Sequence, residues 1–327
     1  MKDYILRRVG VSVVTFFLAI TINFFVFRIM PGNPLIALID PRVPPASRLA
    51  LIEKFGLNRP VWEQFLLYIL NLFRGDFGIS FYYAGTPVAD VIFGRRLFNT
   101  VILMGSSIAL SVILAILIGV KAASRRGTKT DVSATIFSLV TYSFPVFWIG
   151  LLILLVFGYY LPLLVGVGLP IGPTPPPGPQ YANVFEYVLD YLRYMVGPLL
   201  TLTLSFLGGY FLIMRNTILN IFTEDYMLTA RAKGLSSRRT LYVHALKNAL
   251  LPMISIVALH MTYLVGGATM TETVFSWYGL GLLVFESVRA KDYPVLQGIF
   301  LLMTIVVILS NFIADLIYAY LDPRIRY

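Results

Sequence analysis

The sequence predicts an all-α polytopic membrane protein with six transmembrane helices. Three observations carry that prediction: an apolar composition, a set of long apolar runs, and basic residues gathered on alternate connections. Hydrophobic residues fill 58% of the 327 positions and charged residues only 13%, with a mean hydropathy of +0.80. That leaves too little polar material to cover a water-soluble globule of this length, so the solvent of the fold is lipid.

The apolar runs fall near 9–30, 98–120, 133–160, 197–221, 249–270 and 296–320. Several reach the ~20 residues that a helix rising ~1.5 Å per residue needs to cross a ~30 Å hydrocarbon core. A transmembrane barrel would alternate polar and apolar positions over ~10-residue strands, and neither Val112–Val120 nor Ile299–Leu309 alternates. Helices also satisfy their own backbone hydrogen bonds, which the bilayer requires.

Residues 1–30 form the N-terminal end and first helix. Lys2, Arg7 and Arg8 precede the apolar run in the manner of a secretory signal. The run is long for a signal core, contains Asn23 and Arg28, and enters Met30-Pro31-Gly32-Asn33-Pro34 without a small-x-small cleavage site, so it reads as a retained anchor. Segment 31–97 is external. It places Trp62, Phe65, Leu66, Ile69, Leu70 and Phe73 on one helical face, as a helix lying on the membrane surface or capping the bundle would.

The core, 98–320, holds five helices, and 321–327 is a tail. Prolines at 170, 173, 175, 176, 177 and 179 make 166–180 an extended connector. Pro145, Pro198 and Pro252 lie in or beside spans, where a kink can serve packing or gating. Asp315 sits near the end of the last span, within reach of the headgroups. His244 and His260 are the only histidines and lie across a membrane boundary from each other, so the expected metal and cofactor complement is none. With no cysteine there are no disulfides or thiolate metal sites.

Charge sets the orientation. With the N-terminus cytoplasmic, the inner segments hold Lys2, Arg7, Arg8, Lys121, Arg125, Arg126, Lys129, Arg215, Arg231, Lys233, Arg238, Arg239, Lys247, Arg324 and Arg326, which is fifteen of the 26 basic residues, against five acids. The outer segments nearly balance. Both termini are therefore expected inside, in the plasma membrane. The excess of +10 meets anionic headgroups and a cytoplasmic partner; no nucleic-acid motif accompanies it.

The inner connection 222–248 carries Thr229-Ala230-Arg231-Ala232-Lys233-Gly234. Ala, Arg and Lys favour helix and Gly234 can close it in a left-handed cap, so a short helix and a turn are expected. The run Tyr226 to Leu235, continued by His244 to Pro252, resembles the cytoplasmic coupling loop of the dipeptide/oligopeptide/nickel branch of ABC importer permeases. The general importer pattern is Glu-Ala-Ala-x-x-x-Gly; here Leu228 and Thr229 replace its first two residues while Ala230 and Gly234 match. The resemblance extends along nearly the whole chain through Leu6-Arg7-Arg8, Pro31-Gly32-Asn33-Pro34, Gly56-Leu57-Asn58-Arg59-Pro60, the run Gly75 to Ser80, Glu272 to Trp277, Gly279-Leu280-Gly281, Asp292-Tyr293-Pro294 and Tyr320 to Arg324.

That resemblance implies a type I ABC importer permease fold of the first-permease type, half of a heterodimeric translocation pathway with a second permease subunit. It further implies two cytoplasmic ATPase subunits and an extracellular solute-binding protein, with residues 229–234 coupling to the ATPase. The solute would be a peptide or a similar oligomeric molecule, with nickel chelates and oligosaccharides also carried by such relatives. No Gly-x-x-x-x-Gly-Lys-Ser/Thr run is present, so ATP hydrolysis falls to a partner and the chain is not an enzyme. An ion-coupled secondary transporter is the alternative; it would show inverted repeats and polar breaks in mid-span.

Overall fold

A computed structural model describes residues 2–29, 59–83, 85–172, 174, 181–261 and 268–321. The motif Pro31–Pro34, most of Gly56–Pro60, the prolines at 173 and 175–179, and the tail residues Asp322–Arg324 lie outside the described residues. Helices account for the fold, and among the described residues the only extended pairing is one isolated bridge between Ile79 and Pro87.

Six helices are long and apolar enough to span a bilayer. In chain order the helices are α1 (Lys2–Ile29), α2 (Val61–Phe73), α3 (Val88–Phe93), α4 (Arg95–Ser124) and α5 (Lys129–Ser143). They continue as α6 (Val146–Val165), α7 (Val184–Ile221), α8 (Asp225–Ala232), α9 (Ser237–His260), α10 (Thr269–Val274), α11 (Leu280–Ala290) and α12 (Tyr293–Leu321). The spans are α1, α3–α4 together, α6, α7, α9 and the greater part of α12.

The single apolar run expected over 133–160 is divided. Phe144 adopts ψ 136 ahead of Pro145, because the proline ring clashes with a helical predecessor, so α5 stops there and α6 starts afresh. Pro198 and Pro252, by contrast, sit inside α7 and α9, which continue through them. The run expected at 197–221 begins earlier, at Val184, where the Asn183 side chain accepts the Glu186 N–H and caps the helix. Its 38 residues give about 57 Å of helix, far more than the hydrocarbon thickness, so α7 projects beyond the bilayer and carries Glu186, Asp190 and Arg193 there.

The bundle is organised on α7, the most buried span, which packs along α4 and α5. One core cluster joins Tyr210, Phe211, Met214 and Ile218 of α7 to Ala115 and Val120 of α4 and to Leu241, Ala245, Ala249 and Met253 of α9. Gly208 lets α5 and α7 touch: a Cβ there would lie 2.5 Å from the Ser138 carbonyl oxygen. Nearby, the Arg215 guanidinium donates through Nε and Nη2 to the two oxygens of Asp131, at 2.6 and 2.8 Å, and the Gly127 N–H donates to the same carboxylate. Arg215 and Asp131 entered the charge count separately; the fold pairs them and buries the acid.

On the periphery α1 packs against α12, and the Asn23 amide donates to the Gln297 carbonyl and to the Tyr68 hydroxyl. The amphipathic α2 packs against α1. Phe65 meets Phe24 and Phe25 while Phe73 meets Phe17, so α2 runs antiparallel beside α1 and turns Trp62, Leu66, Leu70 and Phe73 outward.

Gly208→Val is expected to destabilise the bundle by about 1–3 kcal/mol through overpacking. The check is the melting temperature of the detergent-purified protein, and an unchanged value would contradict the close approach of α5 and α7.

Candidate functional site

Two polar constructions stand at opposite ends of the bundle. The first is the connection between α7 and α9. Its short helix α8 ends where Gly234 takes φ +73, and the Leu235 N–H returns to the Ala230 carbonyl at 3.4 Å, closing the helix in a left-handed cap. Ser236 then caps the start of α9 by accepting the Arg239 N–H at 3.3 Å. Two caps within three residues leave the turn little freedom.

The helix has an inner and an outer face. Met227, 0% exposed, inserts into the core cluster shared by α4, α7 and α9, and Ala230, 7% exposed, is turned the same way. Thr229, Ala232 and Lys233 are exposed, and the Thr229 hydroxyl donates to the Asp225 carbonyl at 3.1 Å. The side chain of Arg231 lies outside the described residues. Of the six residues singled out in the sequence, Ala230 thus serves the seat of the helix, and Thr229, Ala232 and Lys233 present its surface.

Sequence reasoning missed Tyr226, Leu228, Tyr242 and Val243. All four are exposed apolar side chains on α8 and the first turns of α9, beside the exposed Arg238 and Arg239. Contiguous exposed apolar surface rimmed by charge is the signature of a protein interaction site. The Asn248 amide donates to the Tyr226 hydroxyl at 2.9 Å and holds that ring against α9. The available signal was the apolar residues interleaved with Arg and Lys in a loop that the positive-inside rule alone would leave polar. Thr240–Ala245 winds as a wider π turn, a local irregularity in the helix that follows the loop.

The second construction ties α4 to the connection between α9 and α12. Glu272, 0% exposed, accepts the Thr100 hydroxyl at 2.9 Å and the Leu282 N–H at 3.0 Å, while the Leu280 N–H donates to the Thr100 oxygen. A carboxylate therefore sits at the N-terminus of α11, where the helix dipole favours it. Burial pushes the Glu272 carboxyl above its usual range, opposed by these donors. Gly279 and Gly281 make the approach feasible: a Cβ at Gly279 would lie 2.5 Å from Glu272 Oε2, and one at Gly281 would lie 3.0 Å from it.

Asn99 collects three more bonds, donating to the Tyr278 carbonyl and accepting from the Tyr191 hydroxyl and, through its own carbonyl, from Trp277 Nε1. Arg96 donates to Tyr83 and Glu286, both at 2.8 Å, and lies over the Tyr278 ring. Asp292 accepts the Ser80 hydroxyl and the N–H groups of Phe81 and Tyr82. The motifs Gly75–Ser80, Glu272–Trp277, Gly279–Gly281 and Asp292–Pro294, scattered in sequence, thus meet in one collar.

Six membrane-length helices, two of them joined by a capped, basic and partly apolar loop, define a polytopic helical membrane domain. The comparisons with known proteins name its kind. The family model described as binding-protein-dependent transport system inner membrane component matches residues 111–327, and the N-terminal model of the same systems matches residues 1–106. The chain belongs to that family, and it is accordingly a multi-pass component of an inner-membrane transport system rather than an enzyme.

Among its relatives, the oligopeptide transport system permease protein AppB of Bacillus subtilis is 36% identical over 328 residues, covering 100% of both chains. The dipeptide transport system permease protein DppB of Escherichia coli K12 is 33% identical over 351 residues, covering 100% of this chain and 99% of its own. A probable peptide ABC transporter permease protein of Sinorhizobium fredii is 33% identical over the full length of both.

Met227→Ala is expected to weaken the seat of α8 by about 2–5 kcal/mol, the usual cost of truncating a fully buried large side chain. Hydrogen exchange over residues 225–232 should accelerate while α4 and α7 stay protected, and unaltered exchange there would contradict the anchoring.

Proposed function

We propose that this chain is one of two different permease subunits of an ATP-driven peptide importer, and that α8 is the element through which a cytoplasmic ATPase subunit moves the bundle. The cargo follows the printed names of the relatives, which are peptide transporters. They lend nothing to an oligosaccharide cargo or to an ion-coupled mechanism. A solute-binding protein on the outer side delivers the peptide, both termini face the cytoplasm, and a second permease supplies the other half of the pathway.

The observation that carries the reading is the two-sidedness of α8. Its inner face, Met227 and Ala230, is buried, with Met227 in the core shared by three spans, and its outer face offers Leu228, Thr229, Ala232 and Lys233, with Tyr242 and Val243 exposed on α9. A force applied to the outer face reaches α4, α7 and α9 together, because packed side chains transmit displacement rather than absorb it. Closure of two ATPase subunits on ATP then becomes a rigid-body change in the bundle.

The chain has no cysteine, so single-cysteine variants report from one site each. Lys233→Cys in intact cells is expected to react with a membrane-permeant maleimide and to be spared by an impermeant one; labelling by the impermeant reagent contradicts the assigned orientation.

Leu228→Asp is expected to leave the protein inserted while lowering peptide uptake about tenfold or more, the effect of burying an unpaired charge in an interface. The ATPase activity of the assembled transporter should lose its stimulation by peptide-loaded binding protein. Gly234→Val should act likewise, because a β-branched residue resists the left-handed conformation at φ +73. Normal uptake by both variants would contradict the coupling role.

A further inference from the structure

A cleft of about 410 Å³ opens between α1, α9 and α12. Its walls carry Arg8 and Thr15 from α1, Ser255 from α9, and Asn311 and Asp315 from α12. Arg8 Nη1 and Asp315 Oδ2 are 2.7 Å apart, and both side chains remain partly exposed. Arg8 lies one turn inside the first span and Asp315 just past the end of the last, so the ion pair marks the boundary between headgroups and hydrocarbon.

A second groove, of about 340 Å³, adjoins the cleft and runs between α1 and α12. Val9, Val13, Phe16, Ile305 and Leu309 line it, and it shares Ser12, Ile308 and Phe312 with the cleft. From Val9 to Phe16 it descends about 10 Å along the helix. One polar chamber of both signs thus continues into one apolar channel pointing into the membrane.

Charge complementarity selects the occupant. The ion pair is neutral as a unit, so it offers no net attraction to a simple anion, yet its two ends attract opposite charges at adjacent positions. The Thr15 hydroxyl donates to the Val11 carbonyl at 2.8 Å and the Ser255 hydroxyl to the Leu251 carbonyl at 3.1 Å. With those protons committed, both oxygens can only accept from a ligand in the cleft they line and, with the Asp315 carboxylate, favour a ligand that donates.

We propose that the cleft binds a zwitterionic, ammonium-bearing phospholipid of the phosphatidylethanolamine type. Its phosphate lies at Arg8, its ammonium at Asp315, Thr15 and Ser255, and one acyl chain in the groove between α1 and α12. The lipid fastens α1, the least buried span, to the two spans beside it. A trimethylated ammonium has no N–H to donate and an anionic headgroup has no cation to offer, so both bind less well.

The test is native mass spectrometry of the assembled, delipidated transporter titrated with phosphatidylethanolamine, phosphatidylcholine and phosphatidylglycerol of the same acyl chains. The ethanolamine lipid is expected to bind about tenfold tighter than either of the others, the value of one charge-assisted hydrogen bond. Asp315→Asn should remove its advantage over the choline lipid. Ser255→Leu, which fills the cleft without touching the ion pair, should lower ethanolamine-lipid binding on its own. Equal binding of the three lipids by the unmodified transporter would overturn the proposal. So would efficient cross-linking of Thr15→Cys to the second permease subunit in native membranes, which would show the cleft occupied by protein.

Discussion

Met227 is the contact on which the account of this protein rests. A loop of eight helical residues between two membrane spans has too few backbone hydrogen bonds to hold its own shape in water. Its order comes from the buried Met227 thioether, a member of the core cluster that also holds Val120, Met214, Leu241 and Ala245, with Ala230 buried on the same helix. The same contact makes the loop mechanically part of the bundle, because the residues around Met227 belong to the three spans that form the main core. The small residue at 230, one of those the resemblance assigns to coupling, is buried on the side of α8 that carries Met227. The exposed surface of α8 is built from Leu228, Thr229, Ala232 and Lys233.

At the far end the collar around Glu272, Asn99, Arg96 and Asp292 gives the bundle a second point of rigidity. Each of these polar side chains takes two or more partners, at least one from a segment remote in sequence, and buried polar groups satisfied in this way specify one arrangement because any slippage leaves them unpaired. With the loop between α7 and α9 seated in the core and the connection between α9 and α12 fixed to α4, both ends of the bundle are tied to the same long helix. Regular helix gives way at Gly94 between α3 and α4, at the wider turns Leu154–Tyr160 and Thr240–Ala245, and at Phe144–Pro145 just ahead of α6.

Much of the fold was legible because lipid imposes a simple rule, and each of the six runs read from hydropathy contributes to a spanning helix. Their ends were less legible. α7 extends 13 residues before the run at 197 because charged positions such as Glu186 and Arg193 lower hydropathy without disturbing helical geometry. The turn at Gly234 was readable from local chemistry, since only the conformational freedom of glycine suits that position. The inward orientation of Ala230 and the pairing of Arg215 with Asp131 were not, because both depend on which spans are neighbours. The collar motifs could be noticed in the sequence but not explained until Gly279 and Gly281 were seen to clear room for the Glu272 carboxylate.

Spin labels at Thr229→Cys and Lys121→Cys, the latter in the last turn of α4, test the central claim most directly when their separation is measured in the assembled transporter with and without bound nucleotide. A rigidly seated α8 predicts one unchanged distance distribution in both states, even as α4 shifts relative to the second permease. A distribution that broadens or moves on nucleotide binding would mean that the loop slides over the bundle, and the transmission through Met227 would be contradicted.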